Sequence, residues 1–383
     1  MKPITVKDIR LHVISLPYVE PLKTSFGAPL EKSAVLVELE TTDGVIGWGE
    51  GATEVSPSYS YETILTGLHI TNEFLIPRLV GQTIEKATDV PLLLRAVRGN
   101  NFSKSGVEAA IWDALAKTND MRLTDYFASF LEGDQQSRNR ADVGVSIGIQ
   151  PTIEETLAVI QKRLNQGYRR IKLKIQRGWD VELARAVRAV FPDISLMLDA
   201  NSDYTLADAD HLVKLDEFDL LMIEQPLAYY DIYEHGQLQK CLKTRICLDE
   251  SVKSANDLLL AIQVDAIRIL NLKPARVGGY TESLKIYNIC VENNLPVWIG
   301  GMLETGIGRA ANIAFAALPG VSLPCDISAT DRYFDPDLTE PAFNLNSDST
   351  LTVPDGYGIG VTIQPDRLAD ASARWRESYP YKH

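Results

Sequence analysis

The strongest constraint on this chain is a period. Short apolar runs recur through its middle, and each ends on a charged residue. The endings are Lys174 in "RIKLK", Asp199 in "SLMLD", Glu224 in "LLMIE" and Asp249 in "RICLD", each 25 residues after the last. The next run, "AIRILNLK", ends 24 residues on at Lys273. An earlier run, "VGVSIGI", ends at Ile149, and a later one, "LPVWIGG", ends near Gly300. Helix signals fill the gaps. "PTIEETLAVIQKRLNQG" puts Ile153, Leu157, Ile160 and Leu164 on one helical face, with Thr152 and Glu155 at capping-box spacing and Gly167 as a stop. "YTLADADHLVKL" repeats the idea with Thr205 and Asp208. A strand, a helix and two short loops fill one period, so the segment reads as successive βα units. At least seven units in register favour a closed (β/α)8-type barrel over an open sheet.

A barrel explains "RRIKLKI". Its period-two alternation makes it a strand, with Ile171, Leu173 and Ile175 packed outward on the helices. Lys172 and Lys174 then face inward near the C-terminal mouth, where barrel enzymes carry their chemistry. Residues 1–130 read differently. "DIRLHVISLPYV", "SAVLVELETTDGVIGWGE" and a helical stretch around Val107–Lys117 suggest an antiparallel sheet with helices, "TTDG" being the hairpin turn. The expected division is an α+β domain over 1–130, the barrel over 131–340, and a C-terminal segment over 341–383 that returns to the first domain.

At the mouth, Asp199, Glu224 and Asp249 come from three successive strands and Asn201 follows on the face of Asp199. Three carboxylates this close repel one another unless a cation lies between them. An all-oxygen set selects a hard ion, Mg²⁺ first and Mn²⁺ second. Lysine, with an ordinary pKa of about 10.4, is a poor base near neutrality. A second ammonium two residues along the same strand disfavours the charged form, so Lys172 is expected to depress Lys174, and Arg276 is placed to do the same for Lys273. The suited task is removal of a proton from a carbon beside a carboxylate, with Mg²⁺ and Lys172 stabilising the enediolate. A Schiff-base lysine would leave the carboxylates unexplained.

Bulk properties narrow the partners. The formal net charge is −13, which argues against nucleic acid or an anionic membrane and leaves a small-molecule carboxylate open. The four cysteines are scattered without a C-x-x-C, the five histidines fall outside these motifs, and no run is long enough to span a bilayer. The start, "MKPITVKDIRLHV", lacks the apolar core of a signal peptide, so a cytoplasmic protein is expected.

At these residues the sequence resembles the enolase superfamily, in its muconate-lactonizing-enzyme-like branch; lysine bases with magnesium are already a known pattern of that superfamily. "RIKLKI…GWDV", "LDAN", "IEQPL", "ICLDES", "NLKPARVGGY", "GGMLETGIGRAAN" and "DISATDRYF" are similar to the o-succinylbenzoate synthase / N-succinylamino acid racemase group, as are "TSFG" and "GWGE". The resemblance implies an α/β fold, a (β/α)7β TIM-type barrel with an N-terminal α+β capping domain. It implies Lys174 and Lys273 as an acid/base pair on opposite faces of the substrate carbon, Lys172 as electrostatic support, and Asp199, Glu224 and Asp249 as ligands of Mg²⁺. Ser146 and Asn201 match polar site positions, Arg276 is expected with them among the substrate-binding residues, and Glu250 is placed to orient Lys273. The "IGGMLETGIGRAA" loop, with Gly301 and Met302, is expected to receive a distal succinyl group on backbone N–H groups. "TSFGAP" resembles the capping loop, with Phe26 near the substrate. Cys325 departs from the glycine expected there, which puts the local backbone in doubt. A homo-oligomer is typical of the group.

Two activities fit these residues. Dehydration to o-succinylbenzoate, in menaquinone synthesis, needs one base; racemisation of N-succinylamino acids needs both lysines. Dipeptide epimerase and muconate cycloisomerase are more distant, and an Asp-x-Asp of many epimerases is missing from "IGGMLET".

Overall fold

The computed structural model describes residues 1–24, 27–133 and 135–379. The chain opens with a four-stranded antiparallel sheet of β1 (Ile4–Pro17), β2 (Glu31–Thr41), β3 (Ile46–Gly51) and β4 (Thr83–Ile84), in the order β3-β2-β1-β4. The "TTDG" turn joins β2 to β3, and Gly44 supplies the left-handed residue at φ +80°. The long helix α1 (Asn101–Thr118) lies across β3, and glycine decides how closely. A Cβ on Gly49 would stand 2.1 Å from the Gly106 carbonyl oxygen, and one on Gly47 2.2 Å from that of Ala110. The "GWGE" motif is therefore a seat for a helix backbone.

Seven parallel strands come next, in sequential order: β5 (Val145–Ile147), β6 (Arg170–Lys174), β7 (Ser195–Asp199), β8 (Ile223–Glu224), β9 (Ile246–Leu248), β10 (Ile269–Leu272) and β11 (Val297–Ile299). The helices between them include α2 (Ile153–Asn165), α3 (Val181–Val190), α4 (Ile232–Cys241), α5 (Ala255–Gln263) and α6 (Tyr280–Glu292). Thr152 caps α2 by accepting from the Glu155 N–H, and Gly167 lies just past its end at φ +106°. After β7 the expected single helix is broken. Thr205 and Asp208 do form a capping box, but the chain continues as 3-10 and short α pieces over Leu206–Phe218.

The cylinder closes at its eighth position with two residues. Cys325 bridges Val143 beside β5, and Asp326 bridges Gly300 after β11, both in parallel sense. The backbone at Cys325 does not take the left-handed conformation, so a side chain is accommodated there. Its buried thiol accepts from the Ile299 N–H, and all four cysteines are free.

One continuous apolar core links sheet and barrel. It runs from Ile4 and Leu36 through Trp112 and Phe127 to Ile171, Leu173, Trp298 and Phe315. Beyond the barrel, Thr350–Thr352 pairs with Arg140–Asp142 at its base. The last helix, α8, is Pro365–Ser378, counting Gly306–Ala316 as α7. Trp375 of α8 packs on Val35 and Ile64 of the first sheet's layer, and Arg374 pairs with Glu31. No helix among the described residues is long and apolar enough to cross a membrane.

Candidate active site

Strand register sets the site. Ser146, Lys172 and Met197 stand side by side across β5, β6 and β7, and one pleat further on Lys174, Asp199 and Glu224 form a second row. The aliphatic face of β6 is fully buried outward. Lys172, Lys174 and Lys273 are only 3 %, 9 % and 7 % exposed, which is tolerable for lysines only where carboxylates meet them. Those partners are present. Lys174 donates to Asp199 Oδ2 and to Asn201 Oδ1, each at 2.7 Å. Lys172 stands 3.2 Å from Asp199, 3.1 Å from Glu224 and 2.8 Å from Asp326. Lys273 lies 2.9 Å from Asp249 Oδ2.

Lys174 ends the second strand of the cylinder, and Lys273 comes just after the sixth, so the two amines enter from opposite sides. Both border a cavity of about 400 Å³ between the barrel mouth and the first domain. Lys172, Ser146, Asn201, Gly301 and Met302 line it too, with Tyr18, Thr24, Gly27, Lys32 and Tyr59 from the first domain. Its volume suits a small molecule. Phe26 lies outside the described residues.

Arg276 differs from expectation. It is buried against the Asp249 carboxylate and the carbonyl oxygens of Val252 and Asn271. It borders a separate cavity of about 240 Å³, with Tyr229, Glu250 and Lys253, rather than the main cleft. Glu250 accepts from Asn201 Nδ2 at 3.1 Å instead of meeting Lys273 directly. The loop after β11 differs as well. The Met302 N–H is bonded to Glu304, the Thr305 and Gly308 N–H groups to Glu50, and the Gly306 N–H to Asp337. These four donors are thus already taken by carboxylates, three of them by acids more than 30 residues away.

At Lys273 the expected depression does not appear either. Burial pushes Lys172 down, but Asp326, Glu224 and Asp199 outweigh it and hold the ammonium well above the usual lysine range. Lys273 is likewise raised, because Asp249 and Tyr59 overcome burial. Neighbouring ammoniums matter less than the carboxylates they touch.

The acids carry the complementary strain. Burial first, then Asp199, push Glu224 up to about 8, against the pull of Lys172. Burial also raises Asp199 and Asp249, but Lys174 and Lys172 hold the first below its usual range, and Lys273 and Arg276 the second. Among the described residues no three such side chains stand at metal-holding spacing, and the Lys172 ammonium lies against both Asp199 and Glu224. The donor set still fits a hard divalent cation. It is three buried carboxylates with no sulfur or imidazole among them, and Glu224 is forced toward its neutral form by burial and by Asp199.

Three contributors were not expected from the sequence. Asp326 accepts from Lys172 and, at 2.7 Å, from Ser146, with Arg170 behind it. Tyr59 donates to Asp249 at 2.8 Å and accepts from Lys273 at 3.2 Å. Asn271 donates to Glu224 at 2.6 Å. Asn271 and Asp326 carry a weak signal. Asn271 shares a face with Lys273 in "NLK", and one more period beyond Gly300 lands at Cys325–Asp326.

Known proteins share this arrangement of domains. Residues 155–367 match the family described as enolase C-terminal domain-like, and residues 9–127 the mandelate racemase / muconate lactonizing enzyme N-terminal domain. The o-succinylbenzoate synthase of Geobacillus kaustophilus is 44 % identical over 94 % of this chain and 94 % of its own. The N-succinylamino acid racemase of Thermus thermophilus is 40 % identical over 94 % of this chain and 95 % of its own. A crystal structure described as a member of the enolase superfamily, from Listeria innocua, superposes with a TM-score of 0.91 at 41 % identity, covering 96 % of this chain and 97 % of that one.

Proposed function

The chain belongs to the enolase superfamily, in its mandelate racemase / muconate lactonizing enzyme branch, and on that premise we propose that it is a Mg²⁺-dependent o-succinylbenzoate synthase that also racemises N-succinylamino acids. The observation that carries this reading is that Lys174 and Lys273, set at strands four apart in the cylinder, line one cleft. Dehydration and racemisation share their first step, loss of a proton from a carbon beside a carboxylate.

In this reading Lys174 takes the proton. For dehydration, the C–O bond to the hydroxyl group then breaks with its electron pair, and the departing hydroxide recovers a proton from Lys174 on the same face to leave as water. Lys273 stays protonated and faces the developing charge. For racemisation, Lys273 returns a proton to the opposite face instead, and the configuration inverts. Lys172, anchored by Asp326, keeps its positive charge beside the substrate carboxylate. A divalent cation held by Asp199, Glu224 and Asp249 would supply further positive charge at that carboxylate. Asp199 engaged in this way would no longer hold Lys174, leaving the amine free to act as a base. Asn201, bonded to both Lys174 and Glu250, fixes the amine's direction.

On the same reading the dehydration serves menaquinone biosynthesis, and the protein is a cytoplasmic homo-oligomer. Racemisation as the main role is a second reading, favoured by the exposure of Lys273 to the cleft, which dehydration alone does not require. The deciding experiment gives the Mg²⁺-loaded protein the hydroxy-acid precursor and N-succinylphenylalanine in D₂O and compares kcat/KM. Turnover of neither substrate, with no deuterium entering the α-carbon, would overturn the proposal.

A further inference from the structure

Lys32 is a buried cation that the chemistry above does not use. It sits at the start of β2, opposite Leu16 of β1, and is 2 % exposed. Lysine is rarely buried so fully without an ionised partner, since desolvating an ammonium is costly. Among the described residues no carboxylate stands within ion-pair distance of Lys32, although its charge reaches the buried Glu50 and offsets part of that acid's burial. Its one hydrogen bond goes to the Met302 carbonyl oxygen at 2.8 Å. An ammonium has three donors, so two remain. Two neighbouring acids are engaged elsewhere: Glu50 accepts from Thr305 and Gly308, and Glu304 from Met302.

The same side chain lines the main cleft, whose wall also includes Tyr18, Tyr333, Met302 and Leu303. Two other acids line that wall. Glu31 is bound by Arg374, and Glu54 accepts from Ser58. The barrel lysines stand in the same cavity. A substrate whose reacting carboxylate faces Lys172 and Lys174 therefore has a second cation available within one enclosure. Four of the loop N–H groups expected to take its far end are consumed.

We infer that Lys32 binds the distal carboxylate of a dianionic substrate and sets the preference for succinyl over neutral acyl groups. The inference rests on the function proposed above and deepens it. Lys32 is a specificity residue here and takes no part in proton transfer. Its bond to the Met302 carbonyl oxygen ties the first domain to the loop after β11.

The test removes the charge from each side in turn. N-succinylphenylalanine is compared with an analogue whose terminal carboxylate is replaced by the primary amide, using the wild type and Lys32→Met. Wild type should favour the carboxylate by ~10–100-fold in kcat/KM, mainly through KM, as befits a charged hydrogen bond. Lys32→Met should lose that preference and still turn over the amide at nearly the wild-type rate. Equal loss on both substrates, or no preference in wild type, would overturn the inference, because a cation that only offsets Glu50 and Glu304 does not distinguish them. If Lys32→Met fails to fold, Lys32→Arg replaces it. That variant should change KM for the carboxylate alone, and equal changes for both substrates would again overturn the inference. A wild type that turns over neither substrate is a separate outcome, which removes the proposed function itself and this inference with it.

Discussion

The ammonium of Lys172 lies 2.8 Å from Oδ2 of Asp326, a contact that spans the seam where the cylinder closes. Asp326 also touches Arg170 and Ser146, and with Lys172 and Arg170 beside it its carboxyl stays well below the usual range despite burial. Asp326→Asn keeps the shape and removes the charge. We expect kcat to fall ~10–100-fold with KM little changed, because the lost hydrogen bond acts on the direction of Lys172. Asp326→Ala should in addition cost about 3–5 kcal/mol of stability, as two buried cations lose a shared partner. Steady-state kinetics with urea unfolding on both variants checks this, and an unchanged kcat in Asp326→Asn would refute it.

Lys174→Ala should eliminate dehydration and racemisation alike. Lys273→Arg keeps the charge beside Asp249 but is too weak an acid to return a proton, so racemisation should suffer more than dehydration. Rates on the two substrates, measured on the same preparation, give the answer. Equal loss in both would contradict the division of labour between the amines.

Dialysis against EDTA should abolish activity, and Mg²⁺ should restore it. Binding can also be read without turnover: Mg²⁺ should raise Tm of the wild type, since a ligand of the folded state alone stabilises it. Glu224→Gln should weaken that rise. If Mg²⁺ shifts neither Tm nor activity, the three acids serve only as ion-pair partners.

His235 gives a pH prediction away from the cleft. Its ring is buried, accepting from the Leu227 N–H at 3.1 Å and donating through Nδ1 to the Asp231 carbonyl oxygen. Burial pushes its pKa from 6.5 down to about 4. Above about pH 6.5 both the folded and unfolded rings are neutral, and the full stability is present. As pH falls toward 4, the unfolded chain takes up a proton that the folded one refuses, so stability declines by about 3 kcal/mol in all. His235→Gln should be less stable than wild type at pH 7, and the gap should shrink by about 2 kcal/mol at pH 5. Urea titrations at the two values decide; a constant gap would mean that the ring is protonated equally in both states.

How legible a residue is in the sequence depends on how the fold positions it. Lys174, Asp199, Glu224, Asp249 and Lys273 announce themselves because each ends an apolar run in a fixed rhythm, and the rhythm is the barrel. Asp326 keeps the rhythm but sits on two bridging residues after Pro324, too short a strand to show alternation. Tyr59 and Lys32 come from another domain, and only docking brings them to the cleft. Cross-domain contact also spoiled the expectation for the loop after β11, because Glu50 reaches its N–H groups from β3. The protonation of Lys273 was misjudged because sequence spacing reveals the nearby Arg276, whereas Asp249 from the preceding strand lies against the amine and weighs more.

The two-residue closure at Cys325–Asp326 ties catalytic competence to complete assembly. A folding intermediate with seven staves in place and the last undocked would leave Lys172 without its anchor, however native the remaining wall. Half-built molecules of this enzyme should therefore be sluggish however native they look, and the return to full rate should time the arrival of that final stave.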